Sequence, residues 1–539
     1  MLTKKLIFLL GGLSLALQSL AQDSLLLRDY RFVKQRDTWL TSENPASLVR
    51  FDSENIAEAE VSLTHQRGGF TNFDASPNVL QVNTSVESFY RVTRRTVLYG
   101  GISYKNFSGK EMAGSVFTLQ SSLSPHRPFD IVEDSLTNTG TKHLDIYQLT
   151  GGFGSRVFER IAIGARFDYT AANYAKYKDL RHQNKLMDLK ATGSIYAPVT
   201  DWLNVGIHYQ YHRHTESVSF SVNGKTDKIY KSLIDYGGFF GKVEQFGSEG
   251  FTDKSREMPF FKEGHGGGLQ AEVRPLGWLS VFAGITRSHY DGYYGHQSPH
   301  TIQHSRHKGD NTELTASLRA VTGASEHHLD FVYSDEQLEN KAETYRELKN
   351  ASGATYFEYY DPVETGDKHW QEGQLTYTGN LLIQGEMPLW TLQAGINWSK
   401  RRQTAYLYPF YRYQKLSRQE YSVLLTRNII GMNSVWSFTL QGSFAKGSGE
   451  PYTDGIFTTT GSINGNPPTM EAYLMREYHF LTAPQYSIGG EVKYAFIFPR
   501  TSLKTYTRLM MNHRKANATN EYSNGNDHTM VTVAVGCTF

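Results

Sequence analysis

The sequence predicts an all-β chain that forms a single transmembrane antiparallel barrel of about 18 strands, with 14–16 strands as the alternatives. Three observations predict this fold. Apolar residues recur at every second position in many separate segments. The connections between these segments alternate between short and long along the chain. The last segment is an alternating strand that ends at Phe539.

The composition of the 539 residues fits this fold and excludes several others. The 16 prolines are too few for a disordered or linker-rich chain. Lys and Arg number 55 and Asp and Glu 53, so the net charge of +2 does not indicate nucleic acid as a partner. The single cysteine, Cys537, excludes a disulfide within the chain and a site with several Cys ligands. A mean hydropathy of −0.47 suits a barrel, in which only alternate residues face lipid.

The N-terminus has the pattern of an export signal. Lys4 and Lys5 precede an apolar run over residues 6–17, and the small residues of Ser19-Leu20-Ala21 form a cleavage site. We therefore predict a signal peptide over residues 1–21 and a mature chain outside the cytoplasm. A membrane anchor is the alternative, which the shortness of the apolar run disfavours.

The predicted strands alternate apolar and polar residues. In the segment 203–216, Leu203, Val205 and Ile207 share one face while Asn204 and His208 lie on the other. The predicted strands are 56–66, 79–91, 96–107, 145–157, 161–174, 186–197, 203–216, 265–274, 278–290, 312–321, 327–337, 371–383, 390–403, 415–427, 434–446, 485–497, 501–513 and 528–539.

The connections between the strands are alternately short and long. Short connections at 92–95, 158–160 and 275–277 alternate with long ones such as 217–264 and 447–484. A barrel threaded through the outer membrane has tight periplasmic turns and long outer loops, whereas a β-sandwich has no reason to sort its loops. We predict a barrel over residues 56–539 with both ends on the short-turn side and with lipid of the outer membrane around it.

The polar face of each strand should line the lumen, because the other face contacts lipid. The charges of this face have both signs, so we expect a solvated or salt-bridged wall and no strong ion selectivity. The predicted lumen-lining residues are Glu87, Lys105, Arg156, Arg166, Asp168, His208, His212, His214, Glu491, Lys493, Lys504 and Arg508.

Residues 22–55 precede the first strand and contain Asn44, Pro45 and Ala46. This element resembles a segment of outer-membrane transporters of the long-chain fatty acid type. The resemblance implies that residues 22–55 form a hatch within the lumen. The alternative is a lead-in turn, because Asn-Pro favours turn initiation.

The two ends of the chain resemble those of known outer-membrane proteins. The alternating segment that ends at Phe539 resembles the terminal strand signature that the barrel-assembly machinery reads. The junction Leu20-Ala21-Gln22 and the overall layout resemble uncharacterised outer-membrane barrel proteins of Bacteroidota. The resemblance implies a location in the cell outer membrane and neighbouring nutrient-uptake receptors as partners.

Histidines cluster in one region of the sequence, after the ninth predicted strand. Imidazoles bind transition metals and hold haem iron, so a metal ion or haem is a candidate cofactor. The alternative is a polar surface loop that is rich in histidine. The candidate ligands are His289, His296, His300, His304 and His307.

The sequence has no catalytic motif that we would assign to an enzyme. Gly264-His265-Gly266-Gly267-Gly268 has the outline of an esterase oxyanion loop but opens a predicted barrel strand. We predict passive or gated transport of a small or amphipathic solute. The alternative is a non-conducting surface receptor or accessory subunit of an uptake complex that binds through its long Tyr- and His-rich loops.

Overall fold

A computed structural model describes the chain over residues 25–120, 125–133, 135–223, 227–247, 250–458, 467–498, 503–517, 521–523 and 525–539. The predicted signal peptide, residues 1–21, lies outside the described residues. Strands are numbered below in chain order, and five of the 23 described strands lie outside the barrel.

Eighteen antiparallel strands close into one barrel, which confirms the predicted fold and strand number. Each barrel strand pairs with the next one along the chain, and the last pairs with the first, with Val61 opposite Val535. The barrel strands are β1 Ile56–Arg67, β2 Asn78–Arg91, β3 Thr96–Met112, β5 Gly140–Phe158, β6 Ile161–Lys176, β7 Arg181–Pro198, β8 Leu203–Ser221, β11 Met258–Leu276, β12 Leu279–Gly295, β13 Gln303–Thr322, β14 Ser325–Ala342, β17 Val363–Gln384, β18 Met387–Leu407, β19 Phe410–Ile430, β20 Ser434–Ile456, β21 Gln485–Ile497, β22 Lys504–Ala516 and β23 Asp527–Thr538.

The outer face of the barrel is apolar and uncovered by protein. Ile102, Leu269 and Val533 point outward and are 62%, 59% and 52% exposed. Trp202 and Trp278 lie at the short-turn end, where indole rings suit the headgroup region. A closed sheet satisfies its backbone hydrogen bonds, so this face can lie in hydrocarbon. The protein is an outer-membrane barrel.

Several strands extend further at the long-loop end than their alternation predicts. β13 begins at Gln303 instead of residue 312, β20 runs to Ile456 instead of residue 446, and the predicted loop 291–311 shrinks to 296–302. The aromatic run from Tyr406 to Tyr413 forms a hairpin with a tight turn between β18 and β19. Beyond the bilayer both faces of a strand are wet, so the period-two pattern ends before the strand does.

The structure adds short helices and five further strands to the barrel. The added elements are a 3-10 turn Leu25–Leu27, α1 Tyr30–Gln35, α2 Thr38–Thr41, a 3-10 turn Pro45–Arg50, β4 Asp130–Glu133, β9 Lys231–Gly237, β10 Phe240–Gln245, the hairpin strands β15 Tyr345–Lys349 and β16 Thr355–Tyr359, and α3 Glu471–Thr482. The helices α1 and α2 are too short to show a sustained 3.6-residue period, and α3 lies within a polar loop, where its period is not apparent. None of the described helices is long and apolar enough to cross a bilayer.

Candidate functional site

The segment from residue 25 to residue 55, here called the plug, crosses the lumen at the short-turn end. Its three turns are set by side-chain caps. Asp29 accepts a hydrogen bond from the Phe32 amide, Asp37 caps α2, and the Asn44 side chain accepts from the Ala46 amide. These caps hold a compact path although α1 and α2 are too short to be stable alone.

Ion pairs join the plug to strands or turns on several sides of the wall. The pairs are Arg28–Glu386 at 2.6 Å, Lys34–Glu87 at 2.9 Å, Arg36–Glu326 at 3.2 Å, Glu43–Lys190 at 2.6 Å and Arg50–Glu272 at 3.1 Å. Burial raises the pKa of the Glu43 carboxyl, but Lys190, Arg166 and His208 together outweigh burial, and the pKa is lowered overall. The plug therefore has charged contacts around the wall and is not held by apolar packing alone.

Trp39 is the main apolar anchor of the plug. Its ring is 1% exposed and packs edge-on against Tyr196 and Phe282, with centroids 4.9 and 5.0 Å away. The indole Nε1 donates to Glu272 Oε2 at 2.9 Å. A buried indole with a satisfied N–H contributes both apolar area and orientation. Trp39 thus fixes the middle of the plug against β7 and β12.

The predicted hatch element lies against wall glycines. A Cβ at Gly164 would lie 2.3 Å from the Ala46 nitrogen, and one at Gly154 would lie 2.8 Å from the Pro45 oxygen. The Asn44 amide also donates to the Ile195 carbonyl at 3.0 Å. Only glycine lets the wall and the plug backbone approach this closely.

A second infolded layer, here called the cap, lies at the long-loop end. It comprises the small sheet β4, β9 and β10 together with α3. Phe117, Phe129 and Phe240 belong to an apolar cluster that reaches wall residues such as Tyr294. On the opposite side, Arg401 of β18 forms a bidentate ion pair with Glu477 of α3, at 2.9 and 2.7 Å. The cap narrows the outer mouth.

A buried carboxyl ties the cap together and is sensitive to pH. Asp235 accepts hydrogen bonds from the amides of Gly237 and Phe240. Burial raises the pKa of Asp235 to about 6, with Lys368 opposing the shift and Asp130 adding to it. Because the folded cap raises the pKa of Asp235, the protonated carboxyl stabilises the cap. This stabilisation is complete when the pH is below the ordinary pKa of an aspartate, and it is lost as the pH rises through about 6.

We therefore expect the cap to loosen between pH 4 and pH 7, by roughly 1–3 kcal/mol in its local opening free energy. Hydrogen exchange of the β9 and β10 amides, corrected for intrinsic rates, measures this change. The Asp235→Asn variant keeps an acceptor oxygen but cannot ionise, so its opening free energy should change less over this range than that of the wild-type protein, although burial also raises the pKa of Asp130. An equal pH dependence in the variant would show that another group is responsible.

The twelve predicted lumen-lining residues all lie on the inward face of the wall. Lys105 is paired with Ile146, and Arg156 with Ala162, whose side chains face inward. Some of these residues bind the plug, and the others do not. Glu87 and Lys504 bind the plug, with Lys504 Nζ donating to the carbonyls of Leu26 and Arg28.

The other lumen-lining residues bind wall side chains, face open space or extend toward the rim. Their contacts are Arg166 with Asp168 at 2.8 Å, Arg508 with Glu491 at 3.1 Å, His212 and His214 with Asp188 at 2.9 Å each, His208 with Gln270 at 2.7 Å, and Lys493 over the Tyr506 ring at 3.8 Å. These residues make the salt-bridged wall that mixed charges predict.

Space remains between the plug, the cap and the wall. A cavity of about 440 Å³ lies beside Phe117, His214 and Lys262, and another of about 510 Å³ lies beside Glu372 and Arg418. Val332 points inward and is still 40% exposed, so this middle part of the lumen is open. The polar chamber so formed is the candidate functional site.

His126 of the infolded loop sits at the edge of this chamber. Its Nδ1 lies 2.7 Å from Glu336, its Nε2 lies 3.5 Å from Glu372, and its ring stacks on Trp370 at 4.5 Å. Burial lowers the pKa of His126, but the two carboxylates outweigh this and raise it to about 9. The protonated imidazole therefore ties the cap loop to β14 and β17 at neutral pH.

The five clustered histidines have separate surroundings. His304 and His307 lie on β13 instead of in the predicted loop, because β13 begins at Gln303, and His289 lies on β12 within the predicted strand 278–290. His296 and His300 bind the carbonyls of Glu257 and Thr355. The described residues contain no group of three or more His, Cys, Asp or Glu side chains that could hold a metal ion. A metal ion or haem at these histidines stays a prediction.

Comparison with known proteins identifies a family. The model of a family of unknown function, DUF6850, matches residues 45–539. The chain belongs to this family. No curated protein matches it.

Among solved structures, the chain is similar to outer-membrane proteins at low identity. The ferric preacinetobactin receptor BauA from Acinetobacter baumannii is 7% identical with a TM-score of 0.40, over 89% of this chain and 80% of that one. The outer membrane transporter YddB from Escherichia coli is 7% identical with a TM-score of 0.42, over 90% and 81%. The toluene transporter TbuX from Ralstonia pickettii is 11% identical with a TM-score of 0.31, over 92% of each chain.

Proposed function

We propose that the protein is a gated transport barrel that passes a small polar or amphipathic solute through the outer membrane. The polar chamber between plug and cap carries this proposal, because its wall offers charges of both signs to a solute in water. Val332 and Asn397 face the lumen and remain exposed to this space. A barrel that served only as a scaffold would have no need for a wet interior.

The plug supports gating in place of permanent closure. Its ion pairs are partly solvated, with the Lys34 and Glu87 side chains 31% and 36% exposed. Such pairs are individually weak, on the order of 1 kcal/mol or less, so they can be exchanged for water one at a time. The transport step is therefore a displacement of the plug from the wall, followed by diffusion through the lumen.

Liposome swelling tests this function. Proteoliposomes that carry the full chain should swell in isosmotic solutions of small solutes faster than empty liposomes, and the rate should fall steeply with solute size. Folding is checked by heat-modifiable mobility on gels. A folded protein that gives no swelling with any solute would contradict transport.

A surface receptor is the second candidate. The apolar cap cluster favours it, because Phe117, Phe129 and Phe240 pack over the mouth instead of leaving it open. An accessory role beside nutrient-uptake receptors, and an origin in Bacteroidota, belong to this second candidate as predictions. Absence of swelling together with binding of a partner in the outer membrane would favour it.

A further inference from the structure

The outward-facing side of β18, β19 and β20 carries four cations, here called the basic patch: Lys400, Arg402, Lys415 and Lys446. All four are exposed. The side chains of the basic patch make no ion pair or hydrogen bond with the residues that the structure describes. The patch is therefore an uncompensated positive surface on a membrane protein.

The register places these charges close together. Arg402 lies directly opposite Lys415, and Lys400 lies two positions further along β18. Opposed residues of antiparallel strands have Cα atoms about 4.5–5.5 Å apart, and like charges in such positions destabilise the pairing. An anion between the two strands would remove this penalty.

The carboxylates nearby do not neutralise the patch. Glu450, opposite Lys415, is the one carboxylate among the nine outward positions in three successive rows of β18, β19 and β20. On the neighbouring β17, His369 lies opposite Arg402 but binds Asp335 at 3.0 Å. The basic patch therefore keeps an excess of three positive charges, from four cations and one carboxylate.

On three other strands, β7, β13 and β14, the outward-facing cations have partners. The pairs are Lys185–Glu257 at 3.1 Å, Arg306–Glu343 at 2.5 Å, Lys308–Glu339 at 3.3 Å and Lys341–Glu339 at 3.7 Å. The outer face of β18, β19 and β20 therefore differs from that of β7, β13 and β14 in its net charge, and not only in its number of basic residues.

The basic patch begins where the apolar band ends. Lys446 follows Phe444 by two positions on β20, and Phe444 lies opposite Tyr421 of β19. Phe444 and Tyr421 point outward and are 42% and 46% exposed. Three rows of the patch cover about 14 Å along the strands, which places the charges at and above the headgroup level of the long-loop side.

We propose that the basic patch binds the phosphate groups of an anionic glycolipid of the outer leaflet, with the acyl chains of the same molecule covering Tyr421 and Phe444. Lys and Arg form charge-assisted hydrogen bonds to phosphate oxygens, so phosphate groups would neutralise the unpaired cations of the patch. A lipid is favoured over free phosphate because the patch adjoins the apolar band and because one small ion cannot reach all three rows. This inference does not depend on the proposed transport function.

Binding of lipid A to the full-length protein in neutral nanodiscs tests the proposal. The test variant carries Lys400→Gln, Arg402→Gln, Lys415→Gln and Lys446→Gln. We expect at least ten-fold weaker binding of bisphosphorylated lipid A to this variant. We expect dephosphorylated lipid A to bind the wild-type protein no better than it binds the variant.

The matched control carries Lys185→Gln, Arg306→Gln, Lys308→Gln and Lys341→Gln, which removes four paired outward cations, and it should bind like the wild-type protein. Heat-modifiable mobility reports folding, and a version with Lys→Arg at the three patch lysines should retain binding if the test variant misfolds. Equal binding by test variant and wild type, equal loss in the matched control, or no preference for phosphorylated lipid would overturn the proposal.

Discussion

Deletion of residues 25–50 is expected to convert a closed barrel into a conducting one. In planar bilayers the deleted protein should give large, steady single-channel steps, since an 18-stranded wall encloses a water-filled lumen when nothing crosses it. The full chain should open only in brief events, which still let a small solute pass and liposomes swell. The deletion removes the plug side of the ion pairs to Glu87, Glu326 and Glu386 but leaves all barrel strands intact.

Heat-modifiable mobility serves as the control for folding of the deleted protein. A folded but silent deletion variant would show that the cap, with its cluster around Phe117 and Phe129, closes the lumen without the plug. The account of the plug as the gate would then be wrong.

The Trp39→Ala substitution should release the plug without removing it. The ring is enclosed by Tyr196, Phe282 and the plug itself, so truncation leaves a cavity and removes one of the hydrogen bonds that Glu272 accepts. Truncation of such a buried ring costs about 3–5 kcal/mol, which here weakens docking of the plug more than it weakens the barrel. We expect frequent openings in planar bilayers and faster proteolysis within residues 25–55.

Thr41→Ala provides the matched control, because Thr41 lies on the same short helix α2 and is exposed. It should conduct and resist protease as the wild-type protein does. If Trp39→Ala opened as rarely and resisted protease as well as the control, the apolar anchor would contribute little to closure.

The sequence predicts the barrel well because the bilayer imposes a simple rule on each strand. Alternation in segments such as 203–216 marks the lipid-facing and lumen-facing sides, and all 18 predicted strands correspond to strands of the barrel. The rule fails at the long-loop end. There β13 and β20 continue into water, where both faces are polar and alternation gives no signal.

The parts that close the lumen are harder to predict. The partners of Arg28 and Arg401, namely Glu386 and Glu477, are 358 and 76 residues away, and no local pattern joins them. The 12 residues of α3 lie in a loop and bury charged side chains such as Arg476 and Glu477, which hides their helical period. The Asn44-Pro45-Ala46 element and the inward-facing charges are the signals that sequence does provide.

The most direct test of the central claim is to lock the plug to the wall and measure transport. Thr38 Oγ1 of the plug and Ser317 Oγ of β13 lie 3.1 Å apart, so cysteines at these positions are placed for a disulfide. In a Cys537→Ala background, the pair Thr426 and Thr439, 2.9 Å apart within the wall, gives a matched cross-link that leaves the plug free.

We predict that oxidation of Thr38→Cys with Ser317→Cys abolishes liposome swelling and that a reductant restores it. Oxidation of Thr426→Cys with Thr439→Cys should leave the swelling rate unchanged. Undiminished swelling with a fully oxidised Thr38→Cys and Ser317→Cys pair would contradict the account, because solute would then pass while the plug stays attached to the wall.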